Sequence, residues 1–380
     1  MPFFRKLILV VTFIISQVPS SLANTWVDDF AKEIKAEAKK KNLPGLAFVM
    51  IAPNQDTRFE FYGKTEKSGT AIDKETVFRL ASVSKTFTAA FMAQQVRDKK
   101  LTWKNSLKEL LPDYKFDNYT DTPILLQHII GQSTGFIPNA YDNLIEANYK
   151  LPRVLHHLEK LDSLCKPGIC YTYQNTFFGV LEEYYRLQKT TFAEEITKSI
   201  IVPLKMPTAS VGRDALMASK KWAKPHAAID KNKWVSVKVK NNYYKYSPAA
   251  GVNASAADIE IWLKAMLLEY PDVIDKNMVD SLTKTRVKTK RELNRREWRK
   301  QLKDAHYGLG WRIYNMDDIE IVYHGGWVQG YRADVAFSPQ LGVGYALLMN
   351  AESNSINKLT AQFWKKQIEA YQVTAAIGVE

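Results

Sequence analysis

The stretch Phe78-Arg79-Leu80-Ala81-Ser82-Val83-Ser84-Lys85 sets a hydroxyl and an amine three residues apart. On a helix Ser82 and Lys85 share one face, so the amine can sit beside the hydroxyl. A serine at a helix start also lies at the positive end of the dipole, where backbone N–H groups can stabilise an oxyanion. The chemistry this suits is acyl transfer, in which Ser82 attacks a carbonyl and a base takes its proton. Lysine ordinarily titrates near 10.4, so Lys85 serves as that base only where burial or neighbouring charge favours the neutral amine. Taken alone, Ser-x-x-Lys fits an ordinary exposed helix start equally well.

Two further groups have suggestive spacing. In Tyr173-Gln174-Asn175, residues two apart on an extended chain face the same side, so phenol and amide can enter one cleft; an aromatic packed beside a structural asparagine is the plainer reading. His324-Gly325-Gly326 ends a strand expected over 319–324, and its glycines would let a substrate backbone lie against that strand. A simple turn after the strand explains the same residues. Cys165 and Cys170 flank Lys166-Pro167-Gly168-Ile169, a turn that can bring them within disulfide reach, with two free thiols as the other outcome. No histidine or acidic cluster accompanies the cysteines, so neither a metal nor a cofactor is expected. Gly131-Gln132-Ser133-Thr134-Gly135 matches G-x-S-x-G, but that nucleophile elbow needs a preceding strand, and 123–130 reads as helical.

The elements that must position these residues follow from periodicity. Trp26, Phe30, Ile34 and Ala38 recur at helical spacing, and apolar runs 46–51 and 59–62 read as a hairpin. A helix is expected from about Ser82 to Lys99, a mostly helical stretch over 101–230 with 180–187 and 192–201 as its clearer helices, and another helix opened by Ser255 with Asp258 as a capping box. Period-two strands then cover 307–314, 319–324, 332–337 and 343–349. The pattern predicts an α+β fold: an antiparallel sheet flanked by helices (about 24–80 and 240–380) plus a mostly helical lobe (about 81–239).

With 46% hydrophobic residues, 17 Gly and 15 Pro, the 380-residue chain is neither disordered nor fibrous. Arg5 and Lys6 precede the apolar run 7–15, and Ser21 and Ala23 bracket Leu22, as in a secretory signal peptide over 1–23 with a mature start near Asn24. The run is too short to span a bilayer core of about 30 Å, so an exported protein, periplasmic or secreted, is expected. The formal charge is +13, concentrated between Lys284 and Lys300, where nine Lys/Arg face Glu292 and Glu297. That run is either a solvated face or a weak contact with an anionic surface. No nucleic-acid motif accompanies it, and no nucleic-acid partner is expected.

Together and in this order, Ser82-x-x-Lys85, Tyr173-x-Asn175 and His324-Gly325-Gly326 resemble the serine β-lactamase and penicillin-binding protein superfamily, especially its class C β-lactamase-like branch. The resemblance runs from about Phe48 to Asn350 and takes in Lys224-Pro225-His226 and Tyr307-Gly308-Leu309-Gly310-Trp311. It implies a β-lactamase-like fold and an acyl-serine mechanism on a small-molecule or peptide substrate. Ser82 would be the nucleophile, and Lys85 and Tyr173 would share its proton, with either as the base. Asn175 would bind the substrate amide, and the N–H groups of Ser82 and Trp327 would form the oxyanion hole. Gly325, Gly326 and His324 would line the substrate site. Where the family usually has Lys-Thr-Gly this chain has His-Gly-Gly, which replaces a fixed cation by an imidazole titrating near 6.5. The resemblance therefore points to an amide or ester hydrolase, with a true β-lactamase or DD-peptidase, and a non-catalytic sensor that keeps the cleft, as the alternatives. It sets no oligomeric state.

Overall fold

A computed structural model describes residues 21–116 and 122–377. The candidate leader over 1–23 lies outside the described residues except for its last three, which begin the first helix, Ser21–Lys40 (α1). The hairpin is present as Gly45–Ile51 (β1) and Arg58–Gly63 (β2). The last strands are Leu302–Tyr307, Arg312–Met316, Ile319–Val328, Tyr331–Ser338 and Val343–Met349, numbered β6 to β10 after three short strands, Phe78–Arg79 (β3), Val252–Ala254 (β4) and Val287–Lys288 (β5). One antiparallel sheet of eight strands runs in the order β2-β1-β10-β9-β8-β7-β6-β5.

The first hairpin closes on the last strand, with Leu46 opposite Met349 and Ile51 opposite Gly344. Every residue of β1 is buried because both sheet faces are covered, which is why its sequence is a continuous apolar run. Period two still sorts it. Ala47, Val49 and Ile51 join one core with Phe87 and Phe91 of Ser84–Arg97 (α2) and Trp262 of Ala256–Met266 (α3). Leu46, Phe48 and Met50 join the other, with Phe30 of α1 and Phe363 and Trp364 of the last helix, Ser355–Ile377 (α4). On that far face the two terminal helices lie side by side, joined by the Phe30–Phe363 ring pair and by Ser355 Oγ donating to Glu37.

Three expectations are corrected. The strand expected over 307–314 is two, because Gly310 has φ +75° and turns the chain at Gly308-Leu309-Gly310-Trp311. The strand expected to stop at His324 continues to Val328, carrying both glycines inside it. The segment 192–201 is an α-helix over Phe192–Ile196 followed by a π turn over Thr197–Ile201. The Ser255 capping box forms, with Asp258 N donating to Ser255 Oγ and Ser255 N donating to Asp258.

Candidate active site

Ser82 sits in a single 3₁₀ turn, Ala81–Val83, between β3 and α2, so the α-helix proper begins two residues after the expected start. The turn is entered through Ala81, whose φ of +51° is left-handed and costs an L-residue about 1 kcal/mol. Neighbouring strands hold it there: Leu80 N donates to Val252 O and Val252 N donates to Ser84 Oγ. One α-helical turn on, Lys85 is fully buried. Its Nζ donates to Asn175 Oδ1 at 2.7 Å, Ala249 O at 3.0 Å and Ser82 Oγ at 3.3 Å, and lies 5.0 Å from the Tyr173 ring centre. Burial pushes the amine below its usual pKa; Tyr173 and Asp142 oppose this and the Arg312 charge adds to it.

Tyr173 and Asn175 enter the same cleft, while Gln174 between them turns away into the protein. No regular element carries this segment, so it is stitched to residues 132–139 instead. Gln174 N donates to Gln132 Oε1 at 2.5 Å, Thr172 N to Gln132 O, and Gly168 N to Ser133 O. Cys165 and Cys170 form a disulfide just upstream, with Cα atoms 6.3 Å apart. Asn175 is oriented from both ends, its oxygen accepting from Lys85 and its amide donating to Asp142 Oδ2 at 2.8 Å. Burial raises the Asp142 carboxyl to about 6.

The third wall is β8. Its pairing with β7 ends at Tyr323, so residues 324–328 have β9 on one side and the cleft along the other. Gly326 lets this strand approach the Ser82 turn: a Cβ there would overlap Leu80 O and come within 3.2 Å of Ser82 N. Gly325 faces the opposite side, where a Cβ would overlap Tyr323 Oη and lie 2.8 Å from Asp334 Oδ1. The cleft, of about 890 Å³, is lined by Ser82, Tyr173, Asn175, Gly325, Gly326 and Trp327 among others.

His324 does not join them. Its ring is fully buried, Nε2 pairing with Tyr307 Oη at 3.1 Å and Nδ1 with Gly325 O at 3.0 Å. Burial, with Arg312 and Lys85 nearby, pushes its pKa well below the ordinary value. The expectation that it meets substrate is corrected: the ring shares the strand face of Gly326, towards the Ser82 turn, but Tyr307 Oη holds it and it lies outside the cleft lining. The fixed cation beside Tyr173 is Arg312, which sequence reasoning missed. Its guanidinium lies 5.5 Å from the Tyr173 ring centre and donates through Nε to Glu292 Oε1 at 3.3 Å. Burial alone would raise Glu292, but Arg312 and Arg295 hold it down to about 2. Arg291 and Arg295 of the basic run line the cleft and Trp298 is fully buried, so that run is in part an inward wall. Arg312 carries no motif signal; only the fold shows that the first residue of β7 ends beside Tyr173.

Ser133 is buried in a loop after a short helix, Leu126–Ile130, and lies outside the cleft lining, which removes the elbow reading. Among the described residues no group of three His, Cys, Asp or Glu is placed to hold a metal ion, and no helix is long and apolar enough to cross a membrane.

Comparison with known proteins agrees with this architecture. The chain is 23% identical over 343 residues to "Unguisins hydrolase ungD'" of Aspergillus campestris (strain IBT 28561), covering 86% of this chain but only 62% of the relative. In fold it is similar to the octameric penicillin-binding protein homologue from Pyrococcus abyssi (TM-score 0.76, 20% identity, 88% of this chain and 76% of that one). It is similar also to the class C β-lactamase from Rhodobacter sphaeroides (TM-score 0.71, 16% identity, 88% and 97%). The Beta-lactamase family model matches residues 30–366, nearly the whole described chain, and the protein belongs to that family.

Proposed function

We propose that this protein is a serine hydrolase that cleaves an amide or ester of a small molecule or peptide through an acyl-enzyme on Ser82. The observation that carries this reading is the fully buried Lys85 amine 3.3 Å from the Ser82 hydroxyl at the wall of an open cleft. In its neutral form Lys85 takes the Ser82 proton as Oγ attacks the substrate carbonyl carbon. The oxyanion formed is met by the backbone N–H groups of Ser82 and Trp327. As the tetrahedral intermediate collapses, the proton passes through Lys85 and Tyr173 to the departing nitrogen or oxygen. Water then attacks the acyl carbon, gives up a proton to the same pair, and releases the acid and free Ser82. Asn175, fixed between Lys85 and Asp142, binds the substrate amide.

Turnover of a chromogenic ester, a D-aminoacyl anilide and an activated β-lactam distinguishes esterase, amidase and β-lactamase activity, and acylation without turnover would identify a sensor. A fluorophosphonate should add one adduct by intact mass to the wild type and none to Ser82→Ala, and Lys85→Met should slow ester turnover at least about 10²-fold. An adduct that survives Ser82→Ala and disappears in Ser133→Ala would overturn the reading. We also read the protein as exported, supported by residues 1–23 and by a disulfide suited to an oxidising compartment. Exported protein should begin near Asn24, and retention of Met1 would refute this.

A further inference from the structure

We propose that the end of the cleft walled by Arg79 is an anion subsite that accepts a carboxylate carried by the substrate. Arg79 lies on β3, three residues before Ser82, and lines the cleft although it is only 3% exposed. Its guanidinium stacks 3.6 Å above the Tyr244 ring. Nε and Nη2 have no hydrogen-bond partner, and the groups whose charge acts on it are the phenols of Tyr244, Tyr331 and Tyr243, with no carboxylate among them. Buried guanidinium groups are ordinarily paired with an anion, as Arg312 and Arg295 are with Glu292.

The surrounding tyrosines are committed elsewhere. Tyr244 Oη donates to Asn253 Oδ1 at 2.6 Å and Tyr331 Oη donates to Ala223 O at 2.6 Å, so these rings form a fixed seat that does not neutralise the cation. Lys240, Asn242 and Gln329 also line the cleft, adding a second positive charge and two amides. A carboxylate offers two oxygens matched to a guanidinium fork, and here it meets a cation already positioned and largely stripped of water. The seat is close enough to the Ser82 turn for one substrate to span both.

The inference rests on the serine hydrolase reading, and the experiment separates the two. kcat/KM is measured for 4-nitrophenyl butyrate against 4-nitrophenyl hemiglutarate, which places the charge on the acyl side. Phenyl butyrate against 3-carboxyphenyl butyrate places it on the leaving group. Turnover of the neutral esters reports the hydrolase; the anionic-to-neutral ratio reports Arg79. In the wild type one of the two ratios should exceed 10, and Arg79→Gln should lower that ratio at least tenfold while Arg79→Lys retains part of it. Should the variants fail to fold, wild-type inhibition of neutral ester turnover by glutarate against glutaramide gives the same information, with the dicarboxylate at least tenfold tighter. Ratios near one for both pairs, or a ratio unmoved in folded Arg79→Gln, or equal inhibition by diacid and diamide, would overturn the subsite.

Discussion

At the scale of single residues, the site is governed by which cations stay charged. In the proposed mechanism Lys85 acts as the neutral amine, so kcat/KM should rise with pH through its depressed pKa. Arg312 contributes to that depression, and replacing it leaves Tyr173 and Asp142, which act in the opposite sense. Arg312→Gln should therefore move the acid limb of the pH–rate profile to higher pH, and Arg312→Lys should largely restore it; an unmoved limb would mean that the guanidinium does not act on Lys85. His324 makes a separate statement about stability. Its buried imidazole titrates well below the unfolded value near 6.5, so the unfolded chain takes up the proton first. The stability it confers is present above about pH 6.5 and is lost as pH falls towards the folded pKa. Asp142, raised to about 6 in the fold, works the other way between about pH 6 and 4. In His324→Gln the fall of Tm between pH 7.5 and 5 should be shallower than in wild type, and equal slopes would place the imidazole in water. Residue type and spacing set Ser82 beside Lys85 and Tyr173 near Asn175, but only the family resemblance joined the two pairs, which the structure brings together around the Lys85 amine. The burial of His324 was not legible, because it depends on Tyr307, which reaches it from a neighbouring part of the sheet.

Elements supply the distances between motifs, and here glycines set the closest approaches. Gly326→Ala should destabilise the protein by about 2 kcal/mol and displace the Ser82 turn, because the new methyl meets the backbone carbonyl of Leu80, which cannot rotate away. Gly325→Thr, which would bring back the family's usual middle residue, meets a side chain instead, the Tyr323 hydroxyl. Combining Gly325→Thr with Tyr323→Phe should cost less than the sum of the two single changes in thermal unfolding, whereas strict additivity would show that the hydroxyl is not the obstacle. The strand pattern was readable wherever alternation continued. It misled at 307–314, where apolar residues continue through Gly308-Leu309-Gly310 although the chain turns; a Cβ on Gly310 would overlap Ala89 of α2 and lie 2.7 Å from Lys85 O. The segment 165–175 had no period to read, since disulfide and side-chain bonds to Gln132 hold it rather than a ladder.

For the whole molecule, the order of helices and strands announced an α+β fold with 24–80 and 240–380 in one sheet lobe, and the structure closes that sheet by pairing β1 with β10. Its consequence is one of timing. Chains are made from the N-terminus, and β1 waits for β10 across almost 300 residues of sequence, while α1 waits for α4 to cover the far face of the sheet. A chain ending after residue 340 would hold Ser82, Lys85, Tyr173, Asn175 and the whole of β8, yet β1 and β9 would have no strand between them. Such a truncation should not react with a fluorophosphonate, and reaction at the wild-type rate would show that the site assembles without closure. On that expectation Ser82 stays unarmed until β10 has been made, and the strand over 343–349 that closes the sheet acts as the release of a safety catch.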